Sequence, residues 1–262
     1  MLLAEGLEGR EELSGTVWER FKGYGIIGLP FASGHLLALR RMTASSIGPP
    51  FTSVWHRNPS GHWTFFVDQE PGWSCPRFFG RSLDRVAVEE IDLNWEGPME
   101  LSIRIPEARF SWAARLGSDP RTRILSAAAR AVPNPIWRKQ WVASTLGGIA
   151  GRILGIGELA LSGHTPNRQR YVSAPKGLWR VTAAAAMLDG QDLGPIAPLS
   201  KQGRLGDFWV PNGGVFALGE AHFESLDPEK HSQATTRWTR ESWPLQKKAE
   251  IPGPDLEKVE GM

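Results

Sequence analysis

The sequence predicts a mainly β fold: antiparallel strands in a barrel or two-sheet sandwich, with a helical pair inserted at about 119–155. Three observations predict it. Apolar and polar residues alternate with period two through 99–105, with Met99, Leu101, Ile103 and Ile105 against Glu100, Ser102 and Arg104. Phe110, Trp112, Ala114 and Leu116 continue the alternation, and turn signals punctuate the chain at Asn58-Pro59-Ser60-Gly61, Gly97-Pro98, Asp189-Gly190 and Asn212-Gly213-Gly214. Between them the period becomes helical, and each helix opens on a capping side chain followed by proline, Asp119-Pro120 and then Asn134-Pro135.

In chain order, residues 1–22 read as a helix-prone lead-in, because Leu3, Leu7, Leu13, Val17 and Phe21 recur at about helical spacing. Gly23-Tyr24-Gly25-Ile26-Ile27-Gly28 has the spacing of a dinucleotide fingerprint. That fingerprint must open a helix, so that phosphate meets the helix N-terminus. Turn material from Leu29 to Gly34 follows instead, so the glycines are assigned to close backbone approach. Residues 35–42 read as a buried strand. Residues 52–57 and 62–67 form the clearest hairpin. With Arg57 opposite His62, His56 faces Trp63 and Val54 faces Phe65.

Residues 68–80 read as a loop holding Cys75 beside Arg77, which would lower the pKa of a reactive thiol; an inert, buried cysteine is the other reading. Val86 and Val88 keep one phase and Ile91, Leu93 and Trp95 the other, which places a bulge or break near Glu89-Glu90. The first helix runs to about Val132. The second, from Ile136 to about Gly155, carries a stripe of Val142, Leu146, Ile149 and Ile153 beside Gly147, Gly151 and Gly155. Strands resume at 158–162, 169–174, 178–188, 205–211 and 215–224. Residues 1–225 are expected to form a single β-rich domain with the helical insertion. Residues 226–262 read as a polar, flexible tail, with Trp238 and Trp243 as anchors.

Composition sets bounds. With 262 residues, 41% hydrophobic and 22% charged, the chain can bury a core. A net charge of +2 gives no global case for nucleic acid. A single cysteine excludes an intramolecular disulfide and a zinc-finger framework. No cofactor motif and no metal site is predicted. The N-terminus MLLAEGLEGREEL lacks the basic region of a signal peptide, and no long uncharged apolar run occurs, so the expected location is the cytoplasm, with peripheral membrane contact as a variant.

Candidate functional residues fall into three groups. Twelve tryptophans against two tyrosines suit either a Trp-rich core or pocket walls, and Trp55, Trp63, Phe65, Trp112 and Trp209 are the expected lining, with Arg57 as a polar contact. His56, Asp68 and Asp207 are the candidate acids or bases, since a histidine or carboxylate among aromatic side chains has a tunable pKa. Trp137, Arg138, Lys139 and Trp141 form the candidate membrane or partner contact, within a stretch from Arg104 to Gly157 rich in Arg and Lys. Glu220, His222 and Glu224 share one strand face and read as an exposed polar face or an incomplete metal set.

The phrases ASSIGPPFTSVWHRNPSGHW, SGHTPNRQRYVSAP and LGDFWVPNGGVFALGEAHFE resemble a conserved bacterial protein family of unknown function, over most of residues 20–225. That resemblance implies no catalytic residue and no cofactor. The order of elements is also similar to lipocalin-like β-barrels of the calycin group, which implies an apolar ligand. Two functions are therefore expected. One is binding, or conversion, of a small apolar molecule in an aromatic-lined pocket. The other is a non-enzymatic interaction protein whose basic helical pair docks on a membrane surface or a protein.

Overall fold

The computed structural model describes residue 13, residues 17–227 and residues 229–231. The lead-in before residue 17, apart from residue 13, and the tail from residue 232, with Trp238 and Trp243, lie outside the described residues.

The fold is mainly β, one large sheet curled into a half-barrel. Its strands are β1 (Trp18–Pro30), β2 (Leu36–Ser45), β3 (Phe51–Arg57), β4 (Trp63–Val67), β5 (Arg85–Val88), β6 (Asp92–Gly97), β7 (Glu100–Ile105), β8 (Phe110–Gly117), β9 (Ser162–His164), β10 (Arg170–Leu188), β11 (Gln191–Asp192) and β14 (Val215–Glu224). The order across the sheet is β5-β4-β3-β2-β1-β14-β10-β8-β7-β6, and β9 and β11 pair with β10. Two short strands, β12 (Arg204–Leu205) and β13 (Phe208–Trp209), pair apart from it.

The break expected near Glu89 is where the chain leaves one edge of this sheet for the other. β5 and β6 are the two outermost strands, and only residues 89–91 join them. So short a link reaches about 14 Å at most, which requires the sheet to curl. The inner faces then meet: Phe66 of β4 stacks on Phe110 of β8, with ring centroids 6.3 Å apart. Fully buried Ile26, Leu39, Ile103, Trp112 and Phe216 fill this concave side.

Two expectations near the N-terminus are corrected. Residues 18–22 are strand, not helix, and the glycine run that follows continues β1 at the sheet's centre, between β2 and β14. The apolar spacing of Val17 and Phe21 is compatible with either period over so short a span. Gly23 and Gly25 sit where β1 and β2 come closest: a Cβ on either would be driven into the carbonyl oxygens of Arg41 and Leu39. The hairpin register also shifts by one residue. Arg57 pairs with Trp63, His56 with Thr64 and Trp55 with Phe65, because His62 is used in closing the loop, its carbonyl accepting from Asn58 N–H at 3.0 Å.

The helical insertion comprises α2 (Pro120–Ala131), α3 (Asn134–Trp137) and α4 (Gln140–Leu154), after a short α1 (Pro76–Phe79) in the 68–80 segment. Asp119 caps α2 as expected, accepting from Thr122 N–H at 2.8 Å. α2 covers a stretch of the β10 edge that no strand pairs. Ser126 Oγ accepts from Leu178 N–H at 2.9 Å and lies 3.3 Å from the Leu178 carbonyl. α4 turns its small residues inward, with Ala143, Gly147, Ala150 and Gly151 buried. The expected isoleucine stripe is outside, Ile149 and Ile153 being exposed. The reason is close approach: Gly147 and Gly151 lie against the backbone of Leu159 and Gly157, where a side chain would not fit.

Candidate functional site

On the convex face of the sheet, a cavity of about 130 Å³ lies between strands β1, β2, β10 and β14 and a cover made by α4 and residues 156–161. Its existence follows from side-chain size. Gly23, Gly25, Ala217 and Ala221 supply the sheet side and Ala150 faces them from α4. Small residues on both sides of a gap leave it unfilled. A second space of about 50 Å³ is bounded by Phe21, Phe51, Trp55, Phe78, Phe79 and Phe223. Arg40, Met42, Ser173, Phe208 and Ala221 line both spaces.

Arg40 is the chemical centre of this region. β2 carries Leu36 and Ala38 into the aromatic cluster of the convex face, and period two puts Arg40 there as well. Its residue surface is 7% exposed. Nη1 donates to the carbonyls of Ile26 at 3.0 Å and Leu39 at 2.9 Å, and Nη2 reaches Ile27 O at 3.4 Å. These acceptors are available because β1 and β2 lose register between Tyr24 and Leu29. The guanidinium lies 4.6 Å from the Trp55 ring centre and 5.7 Å from that of Phe208. Among the described residues no carboxylate forms an ion pair with it, and Nε has no acceptor. Burial pulls its pKa down to about 10, still far above neutrality, so Arg40 remains a cation.

The residues expected from sequence do not gather around one pocket. Trp55, Trp63 and Phe65 share the convex aromatic cluster, with Trp55 and Phe65 stacked at 4.4 Å, and of these Trp55 lines the smaller space. Trp112 lies on the concave face, in the other core. Trp209 is half-buried on β13 under Arg204. Arg57 ends β3 beside the Gly61 turn. His56 is buried against His35, whose Nδ1 is 2.7 Å from His56 Nε2; burial, then the His35 charge, lowers the His56 pKa to about 4. Asp68 accepts Thr52 N–H at 2.7 Å, and burial raises its pKa. Asp207 accepts His164 N–H at 3.0 Å on the far side of the short β12–β13 pair. These three candidate acids or bases therefore occupy separate places.

Other polar groups are committed elsewhere. Arg77 forks onto Glu19 at 2.7 and 3.1 Å, not onto the Cys75 thiol. Cys75 is buried, and burial pushes its thiol up to about 11 despite Arg40 nearby. Glu220 lines the larger cavity but is held by Asn134 at 2.9 Å and Arg20 at 3.4 Å. The buried His222 sits 3.3 Å from it and holds it, with those two, at a pKa of about 2. Among the described residues no group of His, Cys, Asp or Glu is placed to hold a metal ion.

The helical layer corrects one contact residue. Trp137 is 2% exposed and packs inward beside Val172 and Ala174, so it offers no surface. Its partner in the expected pair, Trp141, is 70% exposed, and Arg138 and Lys139 are exposed as well. No helix among the described residues is long and apolar enough to cross a membrane.

Sequence reasoning missed Arg40, Met42, Ser173 and Phe208. The one available signal was a charge in phase with Leu36 and Ala38, directly after four apolar residues.

No family model matches the chain, and no curated protein matches it. Among solved structures, an acetoacetate decarboxylase from Legionella pneumophila is similar at 11% identity and a TM-score of 0.41, over 80% of this chain and 86% of that one. That likeness is too low to carry an assignment.

Proposed function

We propose that the protein binds a small, largely apolar molecule in the convex-face cavity. The supporting observation is the cavity itself, about 130 Å³, close to an engineered core cavity of about 150 Å³ that takes benzene. Its walls are almost wholly apolar, so an apolar occupant gains by covering them. Native mass spectrometry should show an adduct on the purified protein, and organic extraction should release an apolar compound. Ala150→Phe, which fills the space from α4, should lose the adduct. A bare protein whose stability and Trp fluorescence do not respond to benzene-sized probes overturns the reading.

A second reading rests on the helical layer. Ile124, Trp141, Ile149 and Ile153 are exposed apolar side chains. Residues 120–154 carry Arg121, Arg123, Arg130, Arg138, Lys139 and Arg152 with no acidic residue. Exposed apolar side chains on helices whose own charged residues are all basic suit an anionic lipid surface. Flotation with phosphatidylserine vesicles should retain the protein, and Trp141→Ser with Arg138→Glu and Lys139→Glu should release it. No flotation overturns this reading; concentration-dependent dimers would then give the face to a second copy of the chain.

A further inference from the structure

We infer that the molecule held in the convex-face cavity is a small monocarboxylic acid, with Arg40 as the anchor of its carboxylate and the apolar walls as the seat of its body. This rests on the cavity being a binding site and goes further by fixing the chemical class of the occupant.

Charge is the first argument. A buried guanidinium is rarely left without a counter-anion, because desolvating a full charge costs several kcal/mol. Arg40 has three main-chain carbonyls, which supply partial dipoles and no net negative charge. Every other arginine that the structure records in an ion pair meets a carboxylate of the chain: Arg20 with Glu220, Arg77 with Glu19, Arg115 with Glu100 and Arg180 with Asp119. All four are more exposed than Arg40.

Position is the second argument. Arg40 and Ser173 are the polar side chains common to both spaces. The Ser173 hydroxyl has no hydrogen-bond partner among the described residues. A free Nε–H, a free Nη2–H and a hydroxyl form a donor set suited to one carboxylate, which takes two parallel N–H bonds from a guanidinium. Trp55 and Phe208, whose rings meet at 5.7 Å, both pack against the guanidinium, and the Ile26 and Leu39 carbonyls hold its Nη1, so its direction is set before anything binds. The remaining wall is aliphatic: Ile27, Leu154, Leu161 and Pro175 among others. The one acid on it, Glu220, is already held by Asn134 and Arg20. A neutral apolar ligand would leave the Arg40 charge uncompensated; a phosphate would demand more donors than the region offers.

The test compares isosteric acids and alcohols on the full chain. Isothermal titration with phenylacetate and 2-phenylethanol, and with octanoate and 1-octanol, should show each acid binding at least about tenfold more tightly. Arg40→Met should erase that preference, bringing the affinities of each acid and its matching alcohol to within about twofold of each other. A measurement on the unaltered protein guards against a variant that fails to fold: carbon-13 NMR of carboxyl-labelled octanoate should show the bound acid still ionised at least one pH unit below its free pKa. If acids and alcohols bind equally and the bound acid titrates normally, the cavity reading stands and the carboxylate assignment falls. If none of the four binds, and no adduct is found on the purified protein, both fall together.

Discussion

Two residues report their surroundings through protonation. His56 binds a proton at about pH 4 when folded and at 6.5 when unfolded. Between those values the unfolded chain holds a proton that the folded chain does not. Stability is therefore complete above about pH 6.5 and falls as pH drops towards 4, by up to roughly 3 kcal/mol. Urea titrations between pH 7.5 and 4.5 should show that slope in the natural protein and a flatter one in His56→Gln. Cys75 gives the opposite kind of signal. Its thiol is buried and pushed up to about 11, so an aromatic disulfide reagent should modify it slowly in the native protein and rapidly in urea. Fast native labelling would mean that the wall of the smaller space opens readily.

At the scale of elements, one stretch of β10 has no strand along one of its edges. Ser126 answers for it, holding both polar groups of Leu178. Ser126→Ala should cost about 1–3 kcal/mol in chemical denaturation, because a buried amide loses its partner. Gly25→Ala should cost more than Gly155→Ala. The first drives a methyl into the backbone of β2, whereas the second strains a left-handed cap, φ +66°, with open space around it. A calorimetric ranking of the two variants checks this. The strands between residues 85 and 117 were legible because each alternates within itself and the turns from β6 to β8 are short. So were the proline-opened helices, apart from the break at 138–139 that separates α3 from α4 and the expected Asn134 cap: Asn134 lies inside α3 and its side chain donates to Glu220 instead. β1 was not, because a strand rich in glycine and covered on both faces loses the period-two signal that marks a half-exposed one. The site was missed for a related reason. Its floor is Gly23, Gly25, Ala217 and Ala221, residues whose contribution is the volume they leave vacant, and no spacing rule marks a vacancy.

For the whole molecule, the main arrangement is a curled sheet with a packed concave core and a pocket on its convex side. β1 and β14 lie next to each other at its centre, Trp18 opposite Glu224. A chain stopped at residue 214 keeps every element but that one, yet loses the strand joining β1 to β10. It should show no cooperative unfolding transition, whereas trimming from residue 232 onward should leave the transition in place, since every strand of the sheet remains. The same adjacency constrains birth on the ribosome. β1 is made long before β14, and its β14 edge stays unpaired until that strand emerges, so the nascent protein carries an open strand edge over that interval. Closure of the sheet therefore waits on the emergence of β14, and a rate of folding limited by that single long-range pairing is the signature to expect.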